Sequence, residues 1–291
     1  MATQPLFPLD LDAYSLADLE TWQNQKEKIL RYHWDLYSAL AFERGKMGDQ
    51  LRIALLDAGH KRFEFNGWQR QVRYQYALSP FSPKGSLIEP GGRFNVPNIN
   101  PDQIPPFPAL YMAEDKETTL QEAGQGAVKG PLSSLDLALI RKESIVIVAV
   151  KGSLGSLIDL HQPQSLKKFV DVIKNFTIPP RLIQDAKKIK IKPPTEIKNI
   201  MSLMKTLLEP NWRVMPMQFD IPANCQIFGQ MAAHAGIEGI LYPSKFTGKK
   251  CIAVFPHNFT PDSFVEVEGE FPPEAISRLD QQSWPSMKAT F

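Results

Sequence analysis

The sequence predicts an α+β fold, with strands that outnumber long helices and follow at irregular spacing, unlike the regular alternation of a doubly wound parallel sheet. Three observations carry this expectation: a long helical stripe near the N-terminus, an apolar run from Ile145 to Val150, and a C-terminal helix followed by three short strands. The chain has 291 residues, 43% hydrophobic and 22% charged. That is enough to bury a sizeable core, and it excludes disorder of the chain as a whole.

Taken in order, Ser15 and Asp18 have capping-box spacing ahead of Leu16, Leu19, Trp22, Ile29, His33, Leu36, Tyr37 and Leu40, which recur at helical intervals. The stripe reads as core packing or as the surface of a homo-oligomer. Val72, Tyr74, Tyr76 and Leu78 then alternate with polar neighbours, which predicts a strand over 72–78 with Arg73 on its polar face. Residues 79–108, rich in Pro and Gly, read as an irregular loop. Leu110, Tyr111 and Met112 suggest a short strand, Lys116 to Ala123 a helix ended near Gly124, and 135–141 and 145–150 two further strands.

Residues 160–209 differ in composition, with ten Lys or Arg against four Asp or Glu, leaving 23 against 27 in the remainder. They read as a basic insert with two amphipathic helices, one from Leu166 to Phe176 and one from Ile197 to Leu208. The run Lys187, Lys188, Lys190 and Lys192 reads as a solvated strand edge protected by lysine, with phosphate contact as the competing reading. A helix over 224–235 closed by Gly236 and strands over 240–242, 251–255 and 264–267 complete the pattern. The domain reading is an N-terminal helical extension over 1–68, a catalytic domain over 69–271 that contains the insert, and a tail over 272–291.

Composition excludes several function classes. The formal net charge is +2, from 33 Lys plus Arg against 31 Asp plus Glu, so no global basic field draws the chain to nucleic acid or a membrane surface. The longest aliphatic run, Ile145 to Val150, is far short of the ~20 residues of a spanning helix. With its first basic residue at Lys26 and no apolar stretch following the start, no conventional secretory signal is expected, and a cytoplasmic location is expected, its own or that of a target cell. Cys225 and Cys251 have no metal or redox spacing and read as small buried hydrophobes. The five histidines lack ligand spacing, no metal is expected, and phosphate-loop and nucleophile-elbow motifs are absent. Gly124, Gly126 and Gly130 miss the dinucleotide-fingerprint spacing.

Three separated pieces remain: Gly91-Gly92-Arg93-Phe94-Asn95; Tyr111 on a short strand followed by a helix carrying Glu122; and Gly236-Ile237-Glu238-Gly239-Ile240-Leu241-Tyr242-Pro243-Ser244 before a strand ending in Phe255. In this order they resemble the RES-domain family, named for its Arg, Glu and Ser, over roughly residues 70–258. The resemblance implies a split β core related to ADP-ribosyltransferases and an activity that consumes NAD. It implies a toxin that hydrolyses or phosphorolyses NAD or modifies a protein with ADP-ribose, neutralised by a helix-turn-helix antitoxin or, for a delivered effector, by an immunity protein. Carried over by position, Arg93, Glu122 and Ser244 are the expected catalytic residues. Arg73, Arg93, Tyr111 and Ser244 are expected to bind NAD.

The chemistry itself asks for such residue types. Nicotinamide leaves a cationic pyridinium as a neutral ring, so no general acid is required, and the ribose passes through an oxocarbenium-like transition state. An Arg fork suits the diphosphate, a Tyr face suits the pyridinium, and a carboxylate can steady the ribosyl cation or activate the acceptor. Ser244 could donate to a phosphate or to the nicotinamide amide. Glu117 competes with Glu122 for the carboxylate role. Asn95 and Asn258 read as turn residues, Trp212 and Tyr242 as packing. The reading from a different class is a binding module that uses the basic insert.

Overall fold

The computed structural model describes residues 16–123 and 145–289. The strand expected over 135–141, the Ser15 cap and the near-fingerprint of Gly124, Gly126 and Gly130 lie outside the described residues. The fold is α+β. Its helices are α1 (Leu16–Lys46), α2 (Gly48–Ala58), α3 (Lys84–Leu87), α4 (Lys116–Glu122), α5 (Lys167–Ile173), α6 (Pro180–Lys188), α7 (Ile200–Leu207), α8 (Val214–Phe219), α9 (Asn224–His234) and α10 (Trp284–Lys288). Its strands are β1 (His60–Arg73), β2 (Leu110–Ala113), β3 (Ile145–Asp159), β4 (Gly239–Pro243), β5 (Lys250–Val254), β6 (Phe264–Val267) and β7 (Arg278–Asp280).

Contacts divide the chain into two units, one of residues 1–46 with 176–196, the other of residues 47–175 with 197–291. In the first, Tyr32, Leu36 and Ala39 of α1 pack with Leu182 and Ala186 of α6 and with Ile178, Ile189 and Ile191. The lysine run is therefore no strand edge. Lys187 and Lys188 end α6, and Ile189 and Ile191 turn inward while the four lysines stay exposed.

The second unit is built on a seven-stranded sheet in the order β1-β2-β5-β4-β3-β6-β7, and β1 also pairs with β3, so the first five strands close a ring of pairings. The ladders are antiparallel except β3–β4, which is parallel. Leu110, Val150, Leu154, Ile252 and Val254 form the sheet core with Phe65 and Trp68. A bulge between Phe65 and Trp68 shifts the β1–β3 register. Gly67 takes the left-handed φ of +67° there, a conformation costly for a residue with a Cβ.

The strand expected over 72–78 is corrected. β1 runs from His60 to Arg73, and Tyr74–Tyr76 is a turn of 3-10 helix. The alternation of apolar and polar residues continues past the point where pairing stops: Val72 is buried, whereas Tyr74 is 67% exposed. At the other end, the segment expected as a tail carries β7 and α10, whose Leu279, Trp284 and Met287 join the sheet core.

Glu238 is fully buried and ties this unit together. Its carboxylate accepts from Gly155 N (2.7 Å) and Thr260 N (3.2 Å). Replacing it by Ala removes the acceptor of both bonds and empties a fully buried site, so Glu238→Ala is expected to cost about 1–3 kcal/mol in urea unfolding. An unchanged midpoint would contradict this role. Among the described residues no helix is long and apolar enough to cross a membrane.

Candidate active site

A cavity of about 200 Å³ in the second unit is lined by Gly91, Gly92 and Arg93, by Tyr111, Met112 and Ala113, by Glu122, and by Gln71, Thr119, Trp212, Arg213, Tyr242, Lys245 and Cys251. Three of the five residues expected at the site, Arg93, Tyr111 and Glu122, thus share one lining. Ser244 lies immediately behind it, and Arg73 is not part of it.

The Gly91–Asn95 loop has no regular structure, and side chains fix its shape. Asn95, fully buried, accepts from Gly92 N (2.9 Å) and from the Tyr111 hydroxyl (2.8 Å), and it donates to the carbonyls of Ser86 (2.7 Å) and Phe107 (3.2 Å). Phe94 N donates to the same tyrosine hydroxyl at 3.0 Å. From α9, Gln226 Nε2 donates to the carbonyls of Pro90 (2.9 Å) and Gly92 (3.1 Å). Gly229 of that helix lets it lie directly on the Phe94 backbone, where a Cβ would overlap the carbonyl group. Tyr111 consequently braces the loop through its hydroxyl and presents its ring to the cavity, and burial pushes its ionisation well above the usual tyrosine range.

Arg93 is 7% exposed. Its Nη1 donates to the carbonyls of Leu207 (3.2 Å) and Glu209 (3.1 Å) at the end of α7. That helix is started by a capping box in which Asn199 Oδ1 accepts from Ser202 N and Asn199 N donates to Ser202 Oγ, and Pro210 stops its continuation. Its terminal carbonyls have no helical donors, and the negative end of the helix suits a cation. The Nε and Nη2 groups of Arg93 have no protein acceptor among the described residues.

Glu122 is the last residue of α4, which is started by Asp115 accepting from Thr118 N at 2.8 Å. A carboxylate at this end of a helix gains nothing from the peptide dipoles. It is held instead by the Ser244 hydroxyl, which donates to Glu122 Oε1 at 2.6 Å. Glu117, the competing carboxylate, sits exposed in the first turn of the same helix and is not part of the lining. Ser244 is 4% exposed, and its oxygen also accepts from Phe246 N (3.2 Å) and Thr247 N (3.4 Å) in the tight turn after β4. This places Ser244 as a support of Glu122. Ser244→Ala is expected to lower turnover about tenfold with less than a twofold change in KM, because one bond that orients the carboxylate is lost. Unchanged turnover would contradict the support.

Arg73 ends β1 on the same face as Gln71, which does reach the cavity. On the opposite face, Arg70 is buried and donates to the carbonyls of Pro80 (2.7 Å), Tyr111 (2.9 Å) and Ser82 (3.1 Å), so it clamps β2 to the start of the loop. Burial lowers its pKa to about 10. Trp212 and Tyr242, expected as packing, both face the cavity, and Arg213, Lys245 and Cys251 were not anticipated. Burial pushes the Cys225 thiol up to about 12 and the Cys251 thiol higher still. Among the described residues no group of three or more His, Cys, Asp or Glu side chains gathers as for a metal ion.

The RES domain family matches residues 68–274, and the chain belongs to this family. Among solved structures, it is similar to a chain in the crystal structure of the M. tuberculosis MbcT-MbcA toxin-antitoxin complex, with 14% sequence identity, coverage of 82% of this chain and 97% of that chain, and a TM-score of 0.43. No curated protein sequence matches the chain.

Proposed function

We propose that the protein cleaves the nicotinamide–ribose bond of NAD and acts as a toxin-like NAD glycohydrolase or NAD phosphorylase. The observation that carries this reading is the convergence on one cavity of Arg93, Tyr111 and Glu122 from three separate segments, with Ser244 from a fourth bonded to Glu122 at 2.6 Å. Membership in the RES domain family supports it. The unengaged edge of Arg93 suits the diphosphate, because a guanidinium binds phosphate oxygens bidentately. The Tyr111 ring offers a face to the pyridinium. Glu122 faces the developing positive charge at the ribose and can accept a proton from an incoming water or phosphate. Ser244 keeps that carboxylate aimed. Arg73, at the end of β1 and outside the cavity lining, is the outermost expected contact for NAD. A helix-turn-helix antitoxin, or an immunity protein, is the partner expected to silence such an enzyme.

The test is to incubate purified protein with NAD, with and without inorganic phosphate, and separate the products by chromatography. Nicotinamide together with free ADP-ribose means hydrolysis. Nicotinamide together with a phosphorylated ADP-ribose, formed only when phosphate is present, means phosphorolysis. Label from NAD on a protein would move the assignment to a mono-ADP-ribosyltransferase. No nicotinamide and no label would refute cleavage, and salt-dependent binding through Lys187, Lys188, Lys190 and Lys192 would then take its place.

A further inference from the structure

Three cations line the cavity, Arg93, Arg213 and Lys245, against one carboxylate, Glu122. The guanidinium carbons of Arg93 and Arg213 lie 5.8 and 5.0 Å from the ring centroid of Trp212. Trp212 is only 5% exposed, so a fixed indole orients both groups by cation–π attraction. The Lys245 ammonium sits 4.6 Å from the Phe246 ring. Neither Arg213 nor Lys245 forms an ion pair with a carboxylate among the described residues. The one acid at hand, Glu122, already accepts from Ser244.

We propose that Arg213 and Lys245 complete, with Arg93, a subsite for the phosphoryl oxyanions of a ligand, and this deepens the NAD reading on which it rests. Three like charges gathered around a single carboxylate destabilise one another until a further anion arrives. The strain is visible at Lys245, whose ammonium is held below the usual lysine value by desolvation first and then by Arg213 and Arg93, with Glu122 opposing. The excess of two cations matches the two charges of a bridging diphosphate. Planar guanidinium forks flanked by a point-charge ammonium suit a group with several oxygens better than a single carboxylate. The segment that supplies Arg213 also carries Leu207 and Glu209, whose carbonyls hold Arg93. One stretch of chain thus positions the first cation and contributes the second.

Two sources present this chemistry, the diphosphate of a dinucleotide and free inorganic phosphate as the acceptor. The experiment titrates wild type, Arg213→Ala, Lys245→Ala and the double variant with ADP-ribose, inorganic phosphate and adenosine by calorimetry at low salt. ADP-ribose binding is expected to weaken about tenfold in each single variant and further in the double, with Arg213→Lys retaining part of the affinity and adenosine indifferent. Loss confined to inorganic phosphate supports the subsite and assigns it to the acceptor. Anion affinities that move less than twofold, or a wild type that binds neither anion at millimolar concentration, overturn the proposal. Because binding is read without turnover, a wild type that releases no nicotinamide yet loses ADP-ribose affinity on substitution refutes cleavage and leaves the subsite standing. Both side chains are exposed, and thermal unfolding of each variant checks that the fold persists.

Discussion

Glu122→Gln is expected to lower nicotinamide release from NAD about a thousandfold, equivalent to ~4 kcal/mol of transition-state stabilisation. The amide keeps the size of the carboxylate and an oxygen that still accepts from Ser244, so the bond of 2.6 Å can be retained. What it removes is the negative charge opposite the ribosyl cation and the capacity to take a proton from the acceptor. Melting temperature is therefore expected to stay within about 2 °C of wild type, since the group is partly exposed and the substitution isosteric. Wild-type turnover in this variant, measured at saturating NAD, would remove Glu122 from the chemistry.

The second large effect comes from a residue with no side chain. A Cβ on Gly92 would overlap the Tyr111 ring at Cε2, Cζ and the hydroxyl. The ring cannot retreat cheaply, because its hydroxyl is bonded to both Phe94 N and Asn95 Oδ1. Asn95 is in turn fixed by three backbone groups, one of them Gly92 N itself. Gly92→Ala must break this network or push the loop outward, and either response displaces Arg93. The expected result is a loss of activity beyond a hundredfold together with about 2–3 kcal/mol of stability. Gly85→Ala is the control: nothing lies within 4 Å of a Cβ there, so both quantities should hold. Equal behaviour of the two variants would contradict the packing account.

These effects explain which parts of the molecule were legible in the sequence. β4 and β5 announce themselves as short apolar runs, one between Gly239 and Pro243 and one before Pro256, and α9 does so because Gly236, at φ +90°, ends it as a left-handed cap. Of the strand expected over 72–78, the part from Tyr74 onward is not a strand, because alternation reports a period and not a partner. α6 and α10 were missed because a short helix leaves too few periods to read, although Trp284 and Met287 bury themselves in the sheet core.

The site divides in the same way. Arg93, Tyr111 and Glu122 sit in contiguous motifs, so their meeting could be expected from the order of the pieces. Trp212, Arg213 and Lys245 enter through tertiary folding, from the segment after α7 and the turn after β4, and nothing local distinguishes them from packing or solvated charge. Ser244 was expected among both the catalytic and the NAD-binding residues, and its hydroxyl donates to Glu122.

On the proposed function, NAD lies in this cavity with its ribosyl–nicotinamide bond beside Glu122. The most direct measurement is a crystal structure of the Glu122→Gln variant soaked with NAD. The ribose is expected within hydrogen-bond reach of the substituted side chain, the pyridinium against the Tyr111 ring and the diphosphate among Arg93, Arg213 and Lys245. NAD bound at another surface, or a cavity that stays empty of it at saturating concentration, would rule out this site for cleavage.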